Sequence, residues 1–239
     1  MGAMTHAPSG RVLFITGAST GIGAAVARQA AAEGWRVALA ARSEDKLRAL
    51  AAELGDSALP LRCDVTLWED LERAVAATVE RFGRLDAALA NAGFTAGTPR
   101  YASGDPTPDE WRDMILTNVL GAALTARATL PRLLESRGHF LLVGSVAGRV
   151  ATPGPYSATK WAISGMADSI RKEVSAQGVR VTNIEPGRVE TPFWAEDRRP
   201  EGAAFLQDDD VARAVLYVLN QPPHVAVNEL LIRPTTQEL

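Results

Sequence analysis

The chain has 239 residues but a single cysteine, Cys63. One thiol cannot close an internal disulfide, which excludes a cross-linked secreted scaffold. Aromatics are scarce at 6%, and no apolar run approaches the roughly 20 residues that a membrane-crossing helix needs. The three histidines, His6, His139 and His224, are scattered without metal-ligand spacing, so no metal is expected. An excess of one charge is lacking too. The balance of 25 basic and 28 acidic residues argues against a nucleic-acid partner. The N-terminal stretch has no charged-then-apolar signal pattern, and His6 stands where a myristoylation motif after Gly2 needs Ser or Thr. A soluble, cytoplasmic protein is the expectation.

What is present is an apolar fraction of 46%, at a length that one hydrophobic core supports. We expect one domain over residues 11–239, with 1–10 as a disordered N-terminus or a leftover of expression. Short runs that are apolar on both faces read as strands at 11–16, 36–41, 58–63, 85–90, 139–145, 179–184 and 229–232. Helical stretches alternate with them at about 21–33, 44–54, 67–82, 109–134, 156–177 and 208–220, and Ser43, Thr66 and Asp208 are candidate N-caps. This alternation predicts an α/β fold: a single-domain Rossmann fold with a doubly wound parallel sheet of about seven strands and helices on both faces. Residues 94–108, rich in Gly and Pro, read as a surface loop, and 192–207 as a lid over the strand ends, where open α/β sheets bind ligands.

The stretch Thr16-Gly17-Ala18-Ser19-Thr20-Gly21-Ile22-Gly23 follows the first strand and opens the first helix. Gly17 permits a tight turn, Gly21 admits a pyrophosphate close to the backbone, and Gly23 lets helix and sheet pack closely. Free N–H groups at the positive helix end then receive phosphate. At the end of the second strand, Ala40-Ala41-Arg42-Ser43 has no carboxylate to repel a 2′-phosphate, and Arg42 can grip one with its planar fork. That favours NADP over NAD.

Tyr156 and Lys160 are four positions apart at a helix start, so they share a face. A free phenol ionises near pH 10, and proton exchange with an alcohol near neutrality requires a fall of about 2–3 units. An ammonium about 4 Å away supplies on the order of 4 kcal/mol at an effective dielectric near 20, which suggests that Lys160 alone suffices. Ser145 ends the fifth strand and can hydrogen-bond a substrate oxygen beside Tyr156; Asn118 stands in mid-helix, where Asn has poor propensity.

The turn TGASTGIG resembles the cofactor turn of the short-chain dehydrogenase/reductase superfamily in its common single-domain form. The other landmarks follow in order: Asp64-Val65, Asn91-Ala92-Gly93, Asn118, Ser145, Tyr156 with Lys160, and Pro186-Gly187 leading to Thr191. The resemblance implies that Asp64 and Val65 contact the adenine, and that Asn91, Ala92 and Gly93 line the ribose. Pro186, Gly187, Val189 and Thr191 would border the nicotinamide. It further implies that Asn118 anchors a water linking Lys160 to solvent. In that chemistry a hydride moves directly between nicotinamide and a small alcohol or carbonyl compound, with Tyr156 as acid or base. Phe94, Val146, Phe193 and Trp194 are substrate-pocket candidates, with Arg149 and Arg188 as binders of an acidic group.

The segment 221–235 is similar to the subgroup acting on 3-hydroxy acids and β-hydroxy amino acids. The resemblance implies a homo-oligomer, a tetramer or dimer, built on the two long helices at about 109–134 and 156–177. Two other readings stay open: a catalytically silent dinucleotide sensor, and a nucleotide-sugar epimerase, a class that usually runs longer. An NAD-preferring member of the same family is a third.

Overall fold

Val12–Thr16 forms strand β1 with every residue buried, flanked by α1 (Gly21–Ala32), β2 (Arg36–Ala41), α2 (Glu44–Leu54) and β3 (Ala58–Arg62). The chain continues through α3 (Trp68–Phe82), β4 (Ala87–Ala90), α4 (Pro108–Ile115) and α5 (Gly121–Ser136). Then come β5 (His139–Val143), α6 (Pro155–Val174), β6 (Arg180–Pro186), β7 (Val189–Glu190), β8 (Leu206–Gln207), α7 (Asp208–Leu219) and β9 (Glu229–Ile232). This computed structural model describes residues 10–96, 100–102, 106–193 and 202–238. Residues 1–9, which hold most of the expected disordered N-terminus, and residues 194–201, which hold Trp194 and half of the segment expected to be a lid, lie outside the described residues.

Seven strands form one parallel sheet in the order β3-β2-β1-β4-β5-β6-β9. The expected single-domain Rossmann architecture, with helices on both faces, is what the chain adopts. Successive side chains of a strand point to opposite faces. Leu13 and Ile15 accordingly join a core layer with α1, α2 and α7, while Val12 and Phe14 join a second with α3, α5 and α6. Burial on both faces explains why the strands read as continuous apolar runs instead of alternating ones. The expected seven strands are all present. The two-residue pair β7–β8 was not foreseen, because segments this short have no periodicity to read.

Three corrections concern helices. The stretch expected as one helix over 109–134 is broken by a π-helical segment, Leu116–Leu120, in which the Gly121 N–H bonds to the Leu116 carbonyl five residues back. Thr66 is not the cap of α3; Leu67 holds that place, and Thr66 instead donates its hydroxyl to Asp64 Oδ1 at 2.7 Å. Asp208 is the first residue of α7, and Gln207 caps it in a reciprocal box with Asp210. Ser43 does occupy the N-cap of α2, without a side-chain cap bond.

At the opposite end of the sheet from the ligand edge, His139 is buried, with Nε2 2.7 Å from the Thr182 hydroxyl. Thr182 gives its proton to the Val227 carbonyl at 2.6 Å, so Nε2 is the donor and Nδ1 is left without a partner. Burial, aided by Arg180, pushes His139 down to about 3. An ordinary histidine titrates near 6.5, so on acidification the unfolded chain takes up this proton first and the fold loses stability. Between pH 7.5 and pH 5 this one group should cost about 2 kcal/mol. Urea unfolding should therefore show a shallower acid decline in His139→Gln, which keeps a donor but cannot titrate; identical slopes would exclude the effect.

Candidate active site

The first structural demand of the site is the turn from β1 into α1. Gly17 and Gly21 both have positive φ, 66° and 53°. A Cβ on Gly17 would come within 2.9 Å of the Ala92 backbone, so glycine is required by both conformation and space. Gly23 differs. It does not line the cleft, and a Cβ there would lie 2.5 Å from the Gly17 carbonyl, so its part is the close packing of helix on turn. Thr20 is extended at the N-cap, and the helix makes no use of the N–H groups of Gly21, Ile22 and Gly23. These donors sit at the positive end of the helix dipole, beside the side chains of Ser19 and Thr20. The cradle that a Cβ would fill, together with the free donors, fits a dinucleotide pyrophosphate.

Parallel strands all deliver their carboxyl ends to one edge, so the remaining landmarks converge there. All of them except Asn118 line a single cleft of about 700 Å³. Arg42, exposed at the end of β2, lines one end with Asp64 and Val65. Asp64 is partly committed already: its Oδ1 accepts from the Thr66 backbone at 2.9 Å, and its N–H donates to Asp70. Asn91, Ala92 and Gly93 follow β4. The Asn91 side-chain amide donates to the carbonyls of Thr16 and Gly17 at 2.9 and 3.1 Å. The Thr16 hydroxyl in turn accepts from the N–H groups of Asn91 and Ala92. Pro186, Gly187, Val189 and Thr191 border the cleft after β6.

Ser145, Tyr156 and Lys160 line the same cleft. Ser145 leaves β5 with an extended backbone, and its Oγ accepts from the Ala147 N–H at 3.1 Å. Gly154, with φ 91°, sets the start of α6 and so delivers Tyr156 and Lys160 on one face. Lys160 Nζ donates to the Val143 carbonyl at 2.8 Å and lies 5.8 Å from the Tyr156 ring centre. Asn118 is buried and outside the cleft lining. It accepts from Phe94 N at 2.9 Å and donates to the Phe94 carbonyl and to Thr159 Oγ1. It stands in the π-helical segment, and its side chain bridges the β4 exit and α6.

The electrostatics depart from the expectation that Lys160 alone makes the phenol acidic. Burial pushes Tyr156 up to about 12, opposed only by a hydrogen bond with Ser145. Burial likewise brings Lys160 down to about 8. Both shifts have one cause, the loss of water around a charged form. The ammonium is also committed to a backbone carbonyl. In the chain by itself Tyr156 is a proton donor at neutral pH.

At the substrate end, Phe94, Val146 and Phe193 line the cleft, and the rings of Tyr156 and Phe193 meet edge-on at 5.5 Å. Thr152 and Pro153, from the loop between Ser145 and Tyr156, line it as well. Arg188 lines the cleft as foreseen, but Arg149 does not. Arg149 is held by Glu185 and Glu229, which removes it as a binder of acidic groups. Lining residues that sequence reasoning missed include Thr95, Thr117, Gly144 and Ala147, and two others are Cys63 and Gln237. Cys63, pushed up to about 12 chiefly by burial, reads in the sequence as a strand end. Gln237 accepts from the Arg188 N–H at 2.8 Å, and no local pattern reveals that the last residues fold back onto Gly187 and Arg188.

The family described as short chain dehydrogenase matches residues 11–202. An uncharacterized oxidoreductase of Staphylococcus aureus is 39% identical over 228 residues, covering 94% of this chain and 97% of that protein. An alcohol dehydrogenase from the archaeon Thermococcus sibiricus, complexed with 5-hydroxy-NADP, superposes with a TM-score of 0.87 at 33% identity, covering 96% and 98% of the two chains. The closed form of a serine dehydrogenase complexed with NADP+ superposes with a TM-score of 0.89 at 30% identity, covering 95% and 96%. With its sheet order, glycine turn and converging landmarks, the chain belongs to the short chain dehydrogenase family of oxidoreductases.

Proposed function

We propose that the protein is an NADP(H)-dependent oxidoreductase interconverting a small alcohol and its ketone or aldehyde, with Tyr156 as acid and base. The observation that carries this reading is the convergence of Ser145, Tyr156 and Lys160 on the cleft opened by the glycine turn. The turn would hold the pyrophosphate, Arg42 the 2′-phosphate, Asp64 and Val65 the adenine, and Asn91, Ala92 and Gly93 the ribose. Pro186, Gly187, Val189 and Thr191 would border the nicotinamide. That group supplies a hydride when reduced and a positive charge when oxidised.

The chain's own part is to exclude water, hold the substrate oxygen and move a proton. Ser145 Oγ positions the carbonyl oxygen; Tyr156, protonated at neutral pH, gives its proton to the developing alkoxide, a much stronger base than a phenolate. In the reverse direction the phenolate is needed, and its elevated pKa opposes this. Lys160 limits the cost of that charge, and Asn118 braces the β4 exit against α6.

Substrates carrying an acidic group, 3-hydroxy acids or β-hydroxy amino acids, fit Arg188 in the cleft and the likeness to a serine dehydrogenase. Secondary-metabolite alcohols are the second class to assay. Exposed Ile115, Leu120 and Trp161 on the two long helical stretches support a tetramer or dimer.

The test is NADPH oxidation at 340 nm with a panel of ketones, aldehydes and oxo acids. Tyr156→Phe should lower kcat by about 10²–10⁴-fold while NADPH fluorescence titration is unchanged; parent-like turnover would refute the role of the phenol. Binding of NADPH without turnover of any carbonyl would favour the sensor reading. Arg42→Asp should move the NADPH/NADH ratio of kcat/KM at least about tenfold toward NADH, since charge-assisted hydrogen bonds are lost. An unchanged ratio would assign the 2′-phosphate elsewhere. Because Tyr156 is held protonated, alcohol oxidation should rise steadily as pH goes from about 7 to about 10, while reduction stays level or falls. Parallel profiles in the two directions would contradict this.

A further inference from the structure

Glu185 stands one residue before the end of β6, and its side chain has no exposure to solvent. A buried carboxylate is costly unless it is paired and hydrogen-bonded. Arg149 Nε donates to both of its oxygens at 2.9 Å, and Asn183 Nδ2 donates to Oε1 at 2.9 Å. The Ser164 hydroxyl lies 3.3 Å from the same oxygen and 3.4 Å from the Lys160 carbonyl. Arg149 uses its other end, Nη2, to hold Glu229 on β9. The charged groups that face Glu185 are therefore Arg149 and Glu229; the Lys160 ammonium is engaged by the Val143 carbonyl.

These contacts join three segments that each carry part of the site. Arg149 ends the short turn that begins at Ser145. Ser164 lies one helical turn beyond Lys160 on α6. Glu185 itself leads straight into Pro186 and Gly187. The packing leaves the turn little freedom: a Cβ on Gly144 would come within 2.5 Å of Asn183 Oδ1, and one on Gly148 within 2.8 Å of the Lys160 carbonyl. The direct-hydride chemistry has no use for a carboxylate at this depth. Its surroundings give it another one.

We propose that Glu185 is a positioning residue: through Arg149 and Ser164 it holds the Ser145 turn, the catalytic end of α6 and the Pro186–Gly187 loop in one register. The inference rests on the reading that Ser145 and Tyr156 act on the substrate oxygen. Burial raises the Glu185 carboxyl above its ordinary range, opposed first by Arg149. Protonation on the acid side removes one acceptor from Arg149 and loosens the turn, so turnover falls while dinucleotide binding, made by other elements, persists.

The experiment compares the parent with Glu185→Gln, Glu229→Gln, Ser164→Ala and the double variant Arg149→Met/Glu185→Gln. The readouts are thermal unfolding, NADPH fluorescence titration, and kcat and KM as functions of pH. Glu185→Gln turns a donor toward the donor of Arg149. Its kcat should fall about tenfold from misplacement of the reacting groups, with NADPH affinity unchanged and the acid limb of kcat flattened. The double variant removes the unpaired charge without restoring the tether, and its kcat should stay low. Glu229→Gln and Ser164→Ala weaken the same network from outside the carboxylate and should lower kcat by about two- to threefold.

A folded Glu185→Gln with parental kcat and acid limb overturns the proposal, as does a double variant that recovers parental turnover. Should Glu185→Gln fail to fold, parental profiles in both Glu229→Gln and Ser164→Ala overturn it instead. A parent that binds NADPH but reduces no carbonyl compound defeats the functional reading and this inference with it. A parent that turns over beside an indifferent Glu185→Gln defeats the inference alone.

Discussion

Between β1 and β4 the sheet must part to admit a ligand without leaving buried backbone groups unpaired. The side chains of Thr16 and Asn91 satisfy that demand. Asn91 donates to two carbonyls at the end of β1, and Thr16 accepts from two N–H groups at the end of β4. Unpaired, each such group would cost about 1–3 kcal/mol. The four bonds hold the crevice at the point where strand order reverses, and every cofactor-facing element is placed relative to it. Gly23 packs against the same stitch: a Cβ there would meet both the Gly17 carbonyl and Asn91 Nδ2.

The same economy recurs around Tyr156, where several buried polar side chains are tied to backbone. Asn118 engages Phe94 in both directions, Lys160 engages Val143, and Ser157 donates to the Ala147 carbonyl at 2.8 Å. Such bonds cannot be exchanged for water, so they fix geometry at a cost in ionisation. Tyr156 and Lys160 are both displaced toward their neutral forms. Packing of this kind keeps the Tyr156 phenol in its protonated form at neutral pH.

Gly121 illustrates how one position serves two levels of structure. In the sequence it is one of several small residues on a long helix, compatible with close packing inside the subunit or between subunits. In the fold a Cβ there would lie 2.6 Å from Val65 Cγ2, so the glycine lets the π-turn lean on the β3 exit.

By itself the sequence determined the sheet, its helical cover and the larger part of the residues that line the cleft. Apolar runs, glycine spacing and ordered landmarks are local, and parallel topology converts their order along the chain into proximity at one edge. Local patterns could not reveal which side chains are spent on structure. Asn91 stitches the crevice, Arg149 serves Glu185 and Glu229, and Gln237 comes back from the far end of the chain to meet Arg188. Nor could spacing reveal the sign of the shift at Tyr156. A tyrosine four residues from a lysine suggests an acidic phenol, but desolvation depends on everything packed around both groups, and only the tertiary structure decides that.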